Sequence, residues 1–262
     1  MNLNTIKFDD GDAYEQYMGI WSKLVGDIFL KWLSPAPGLQ WLDVGCGNGA
    51  FTENIVESCS PSSVHGIDPS IEQIDFARSR LDSTLTKFTQ GDAMDLPFQD
   101  QSFDIAIMPL VIFFVPEPEK GVSEMVRVVR PGGIVSAYAW DMMEGGFPYM
   151  NLIDEIRLMG IDVPVPPNPD ASRLETMKRL WINSSLVSVE ETEITVQRSY
   201  SDFDEYWSIV LRGPSVGSSL KAMPYDELTN LKDRMRKVLP FNSSGRITLS
   251  ARANAIKGSV PG

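Results

Sequence analysis

The sequence predicts an α/β fold: a doubly wound sheet of mostly parallel strands with helices on both faces. Three observations carry that expectation. From residue 39 onward, short apolar runs bounded by Gly, Pro, Asp or Ser alternate with segments of helical periodicity. The first run ends in an acid followed by three alternating glycines, in "QWLDVGCGNGAF" (Gln40 to Phe51). At 43% hydrophobic over 262 residues, the chain can also bury a substantial core. Strands alternating with helices imply βαβ units, whose crossovers cover both faces of a parallel sheet.

In chain order, Tyr17, Ile20, Trp21, Leu24, Ile28, Phe29 and Trp32 form a broad apolar stripe on a helix that stops at the "SPAPG" breaker. "LQWLDVG", "SVHGID", "KFTQGD", "FDIAIM" and "IVSAYAW" read as five strands. Between them Phe51, Ile55 and Cys59 recur at four-residue steps, Ile71, Ile74 and Ala77 at three, and Val122, Val126 and Val129 mix the two. After Trp140 the alternation fades. Residues 142–170 join a short helix to a proline-rich loop, and a helical piece follows around Leu174, Met177 and Trp181. Then come a strand in "VSVEETEITVQRSY", helices on Tyr206, Ile209, Val210 and on Leu228, Leu231, Met235, and a last strand in "GRITLSARANAIKG".

Composition narrows the function classes. With 35 acidic against 23 basic residues the formal net charge is -12, which repels phosphate backbones and anionic lipid and argues against nucleic-acid and membrane partners. No apolar stretch reaches the ~20 residues of a bilayer span. The start "MNLNTIKFDDGD" lacks the features of a signal peptide. Cys46 and Cys59 form no disulfide framework, so a reducing, cytoplasmic setting is expected. With His65 the sole histidine, no metal site is expected, and His65 itself falls inside the second strand as a sheet residue.

Gly45, Gly47 and Gly49 fall where open parallel sheets bind ligands, beyond the carboxyl end of a strand. Glycine permits positive φ and close backbone approach, and the next helix N-terminus adds unpaired N–H donors. Gly45, Gly47 and Ala50 formally satisfy the dinucleotide fingerprint, with Asp68 placed for a ribose hydroxyl, which would suit an NAD-dependent oxidoreductase. Asp43 weighs against that reading. Two residues before Gly45, its charge would repel a pyrophosphate and attract a cation. S-adenosylmethionine has a ribose and an adenine, no phosphate, and a sulfonium and an α-amino group.

"LDVGCGNGAF" resembles motif I of the class I S-adenosylmethionine-dependent methyltransferases. "HGIDPS", "GDAMDLPF", "FDIAIM" and "EMVRVVRPGG" resemble its later motifs, in order, over roughly residues 10–140. The nearest likeness is to the small-molecule branch with the ubiquinone and menaquinone C-methyltransferases. It implies a Rossmann-like sheet of about seven mostly parallel strands with an antiparallel last strand and helical cap insertions, in a single domain over 1–262. Within it, 1–38 would be an N-terminal helical lid, 39–141 the cofactor-binding core, 142–170 and 201–240 substrate-side cap insertions, and 241–262 the last strand. S-adenosylmethionine would be the cofactor and a small, hydrophobic organic molecule the methyl acceptor. A non-catalytic binder of S-adenosylmethionine or S-adenosylhomocysteine is the alternative.

The resemblance also assigns roles. Gly45, Cys46 and Gly47 would bring backbone close to the cofactor, and Asp43 would hold its amino group directly or through water. Asp68, with Pro69 beside it, would accept from both ribose hydroxyls. Asp92 would accept from the adenine amino group, with Ala93 opposite the ring and Met94 against its face. Met108 and Pro109 would border the sulfonium, Pro109 standing where the family often has a small or polar residue. Tyr17 and Tyr14 would offer aromatic faces to the sulfonium, a cation–π contact. Ser70 and Gln73 have capping-box spacing. Arg127 and Arg130 read as a solvated helix face. No histidine–acid pair is available, so catalysis by proximity and desolvation is expected, with Tyr14, Tyr17 and Asp141 as candidate bases. Specificity is expected in the two insertions, where Phe147, Tyr149, Phe203, Tyr206 and Trp207 suit an apolar lid.

Overall fold

The computed structural model describes residues 15–213 and 216–262. A π-helical turn at Glu15–Gly19 leads into α1 (Ile20–Leu33), and β1 (Gln40–Val44) runs into α2 (Ala50–Cys59). Then follow β2 (Ser63–Asp68), α3 (Ile71–Arg80), β3 (Thr86–Gln90), β4 (Phe103–Pro109), α4 (Pro118–Val128) and β5 (Val129–Trp140). The later part holds α5 (Met150–Leu158), α6 (Leu174–Asn183), β6 (Val187–Tyr200), α7 (Phe203–Arg212), α8 (Gly217–Ala222), α9 (Tyr225–Val238) and β7 (Ile247–Ser259).

The strands form one seven-stranded sheet in the order β3-β2-β1-β4-β5-β7-β6. The pairs from β3 to β5 are parallel, and β7 is antiparallel to both its neighbours. The doubly wound sheet and its antiparallel last strand are therefore as expected. Strand order reverses between β1 and β4, and at such a switch point the flanking helices leave in opposite directions and open a crevice.

Period-2 alternation divides the core. Trp41, Ile105, Ile107, Tyr138 and Trp140 face one side, under α1 and α2. Leu42, Val44, Ala106, Met108, Val135 and Ala137 face the other, under α4 and α6. The aromatics expected to form a lid lie in the first core: Tyr149 and Tyr206 are fully buried, and Phe203 and Trp207 nearly so. His65 sits in β2, its Nε2 2.7 Å from Thr89 Oγ1 and its ring edge-on to Phe98. Burial, with help from Lys87, lowers its pKa, so it stands in the sheet as a neutral residue.

Arg127 is a correction. Rather than a solvated face, its guanidinium donates to the carbonyls of Leu96 and Phe98 and to the carboxylates of Asp100 and Glu124, all at 2.7–2.9 Å. It thereby fastens the loop before β4 to α4. Among the described residues, no helix is long and apolar enough to cross a membrane, and no three His, Cys, Asp or Glu side chains come together as a metal site would need.

Candidate active site

At the switch point lies a cleft of about 670 Å³, a size that suits a small molecule. The loop Gly45–Gly49 forms one wall. All three of its glycines have positive φ, at +75°, +51° and +79°. Gly45 needs its bareness twice over, since a Cβ there would lie 2.5 Å from Val111 Cγ2. The leading amides of the loop are used internally. Gly45 and Cys46 N–H donate to Ile67 O at 2.8 and 3.0 Å, and Gly47 N–H donates to Asp68 Oδ2 at 3.0 Å. The glycines thus supply clearance, while the amides of Gly45, Cys46 and Gly47 lock the loop to the end of β2.

Asp43 is fully buried at the tip of β1. Its Oδ2 accepts from Thr52 Oγ1 of α2 at 2.7 Å, whereas Oδ1 has no partner among the described residues. Burial pushes its pKa up to about 7, against the pull of the Thr52 hydrogen bond and with a push from Asp68. Asp68 accepts from Gly47 N–H on one oxygen and Ser70 N–H on the other, and burial raises its pKa despite both bonds. Burial, and then the neighbouring charges of Asp43 and Asp68, drive the Cys46 thiol far up, so it stays protonated. Ser70 Oγ accepts from Gln73 N–H as the N-cap of α3.

Among the described residues, the lining carries five acids (Asp43, Glu53, Glu57, Asp68, Glu72) against two cations, Lys23 and Arg80, and Arg80 is paired with Glu53 at 2.8 Å. Phe51, Leu110, Val111, Phe114 and Tyr138 supply an apolar wall. Leu110, which follows β4, is held at φ +59°, a left-handed conformation that costs a leucine energy and that clusters at functional sites.

Of the expected binding residues, Asp43, Gly45, Cys46, Gly47, Asp68 and Pro69 line the cleft together, and Pro109 joins them. Met108 does not: it is fully buried in the second core, because the residue before Pro109 on a strand points to the opposite face. Tyr17 is likewise core, stacked on Tyr149 with centroids 4.1 Å apart, while Gly19, Ser22 and Lys23 are the residues its segment contributes to the lining. Asp141 is no free base. It is 2% exposed, Arg252 Nη2 donates to its Oδ2 at 2.6 Å, and the amides of Met143 and Glu144 donate to its Oδ1. Asp92 is exposed and accepts from Met94 N–H at 2.8 Å, and Ala93 and Met94 pack half-buried against the second core, all three outside the lining. Tyr14 lies outside the described residues. Among the described residues, the lining takes nothing from 142–170 or 201–240.

Sequence reasoning missed Thr52, Lys23 and the wall from Leu110 to Phe114. The wall had a signal, since it follows the carboxyl end of the β4 strand. Thr52 had a weaker one, a polar residue between Phe51 and Ile55 on a helix meant to bury that stripe.

A family model described as a methyltransferase domain matches residues 42–137. Over 96 residues, 37% of this chain and 35% of the relative, the sequence is 35% identical to a fatty-acid O-methyltransferase of Mycolicibacterium smegmatis. Over 125 residues, 47% of this chain and 50% of the relative, it is 34% identical to a demethylmenaquinone methyltransferase of Staphylococcus aureus. The chain thus spans about a third to a half of the length of these curated relatives. Among solved structures it is similar to phosphoethanolamine N-methyltransferase 2 of Haemonchus contortus in complex with S-adenosyl-L-methionine, with a TM-score of 0.60, 18% identity and coverage of 96% of this chain and 56% of that one. At that identity the likeness is one of fold. Residues 42–137, the stretch that matches the methyltransferase domain model, hold the glycine loop, Asp43, Asp68 and Asp92, and they lie in a sheet whose fold a solved methyltransferase shares.

Proposed function

We propose that the chain binds S-adenosylmethionine in this cleft and transfers its methyl group to a small, hydrophobic acceptor. Asp43 carries the reading. A fully buried carboxylate with one oxygen unpartnered among the described residues is costly unless a donor comes to it, and a cationic donor meets that need best. A pyrophosphate on the same wall would face Asp43 and Asp68 at once.

The residues present fit the cofactor. Asp43 is assigned its α-amino group. Asp68 is assigned the ribose diol, through the lone pairs left after Gly47 and Ser70 are satisfied. Asp92, Ala93 and Met94 are assigned the adenine: they follow β3, whose Gln90 pairs in register with Asp68. When bound, S-adenosylmethionine supplies an electrophilic methyl group on a sulfonium. The chain's own part is to orient the partners and exclude water, with Phe51, Leu110, Val111, Phe114 and Tyr138 as the dry wall. Asp141 and Tyr17 are committed elsewhere and Tyr14 lies outside the described residues, so what the described residues offer is positioning, which can recover as much as ~7–11 kcal/mol.

The apolar wall supports a hydrophobic acceptor, as do the fatty-acid and demethylmenaquinone substrates in the relatives' names. The net charge of -12 favours such a small molecule over nucleic acid. A screen of quinols, phenols and fatty acids, scored by release of S-adenosylhomocysteine, tests the assignment. Turnover with an apolar acceptor is expected. Tight cofactor binding with no turnover across the screen would favour a non-catalytic binding subunit instead.

A further inference from the structure

Thr52 stands on the buried face of α2, one residue after Phe51 and three before Ile55, where an aliphatic side chain would complete the stripe. It is fully buried, and its hydroxyl donates to Asp43 Oδ2 at 2.7 Å. Asp43 Oδ1 is left without a partner among the described residues, and Asp43 lines the cleft. We infer that Thr52 is a positioning residue for the ligand: by holding one carboxylate oxygen of Asp43, it presents the other to the cleft. The inference rests on the cofactor site proposed above and adds a residue to it.

Two physical arguments support this role. The terminal torsion of an aspartate is broad, so its carboxylate plane turns easily unless something fixes it. A β-branched threonine in a helix has few χ1 choices, so its donor points in a set direction. The second argument concerns charge. Asp43 is faced by Asp68 from the end of β2 and by the Cys46 thiol from the glycine loop. Thr52 meets it from α2, and Lys23 of α1 and Tyr138 of β5 line the same cleft. Burial and Asp68 favour the protonated acid, while the Thr52 hydroxyl favours the carboxylate. Removing the hydroxyl therefore moves the titration of Asp43 upward. A cationic ligand needs the carboxylate, so the loss of affinity is largest on the acid side and shrinks as the pH rises.

The test is calorimetric titration of S-adenosylhomocysteine into the full chain and into Thr52→Val, Thr52→Ala and Thr52→Ser, between about pH 6.5 and about pH 8.5, a range that brackets neutral titration. The ratio of variant to parent affinity cancels any titration of the ligand itself. Thr52→Val and Thr52→Ala are expected to bind at least about tenfold more weakly at the acid end, the order for a hydrogen bond to a charged group, with the gap narrowing as pH rises. Thr52→Ser keeps the donor and is expected to stay within about threefold of the parent. Thr52→Ala reads the same effect if Thr52→Val does not fold. A parent that binds while the donor-less variants match it, or lose affinity by the same factor at every pH, overturns the role of Thr52 alone. A parent that does not bind overturns the cofactor site and this role with it.

Discussion

Replacing Asp43 by asparagine removes one charge from the cleft while keeping the side chain's shape, and two opposite effects should follow. In the free chain the carboxyl is fully buried, and its pKa rises from 3.8 to about 7. At about 1.4 kcal/mol per unit, holding it ionised at neutral pH costs roughly 4 kcal/mol of folding stability. The folded state binds this proton more tightly than the unfolded state does. The cost is therefore absent below the unfolded pKa and grows as pH climbs to the folded one. An amide escapes it, although a buried NH2 group without an acceptor gives back about 1–3 kcal/mol. Asp43→Asn should thus stabilise the ligand-free chain at pH 7 by about 1–3 kcal/mol and flatten its stability profile between about pH 4 and 7. With ligand the order reverses. Losing a charge-assisted hydrogen bond worth ~1.5–3 kcal/mol lowers affinity roughly 10- to 150-fold. Urea melts across this pH range, with and without S-adenosylhomocysteine, read both effects. A free variant less stable than the parent at pH 7, or one that binds as tightly, would refute the reasoning.

Other expectations concern the loop. Asp68→Ala should weaken cofactor binding by roughly 1.5–3 kcal/mol in a calorimetric titration. Because Asp68 also holds the amides of Gly47 and Ser70, its melting temperature should drop as well; unchanged affinity would remove the ribose assignment. Gly45→Ala meets both a positive φ and Val111 at 2.5 Å, whereas Gly132→Ala meets a φ of +78° with nothing within 4 Å. Each pays about 1–2 kcal/mol for the left-handed backbone, and Gly45→Ala should lose about 1–3 kcal/mol more by overpacking, in paired denaturation curves. Equal losses would mean that the loop yields freely.

The readability of this chain follows the range of its contacts. The strands β1 to β5 were legible because each is a short apolar run ending in a turn residue. β6 was legible because Ile194, Val196, Arg198 and Tyr200 alternate inward over its second half. Gly45, Asp43 and Asp68 were legible as a set because the loop and the next strand tip declare them locally. Long-range pairings were hidden. Tyr149 reaches the Tyr17 carbonyl across 132 residues, and Arg252 locks Asp141 across 111, so neither commitment shows in a local pattern. Met108 failed by parity, since a strand tip offers a ligand only every second side chain. Arg127 failed because helix position reveals exposure but not a neighbouring loop's carbonyls. Thr52 and Asp43 are nine residues apart, yet only the turn of the glycine loop brings them together.

The most direct measurement is a pair of calorimetric titrations at pH 7.5 on the full chain, one with S-adenosylmethionine and one with NAD. A phosphate-free cation should saturate one site per chain while the pyrophosphate-bearing dinucleotide gives no binding heat. Saturable binding of NAD, or indifference to S-adenosylmethionine, would contradict the assignment of the acidic cleft.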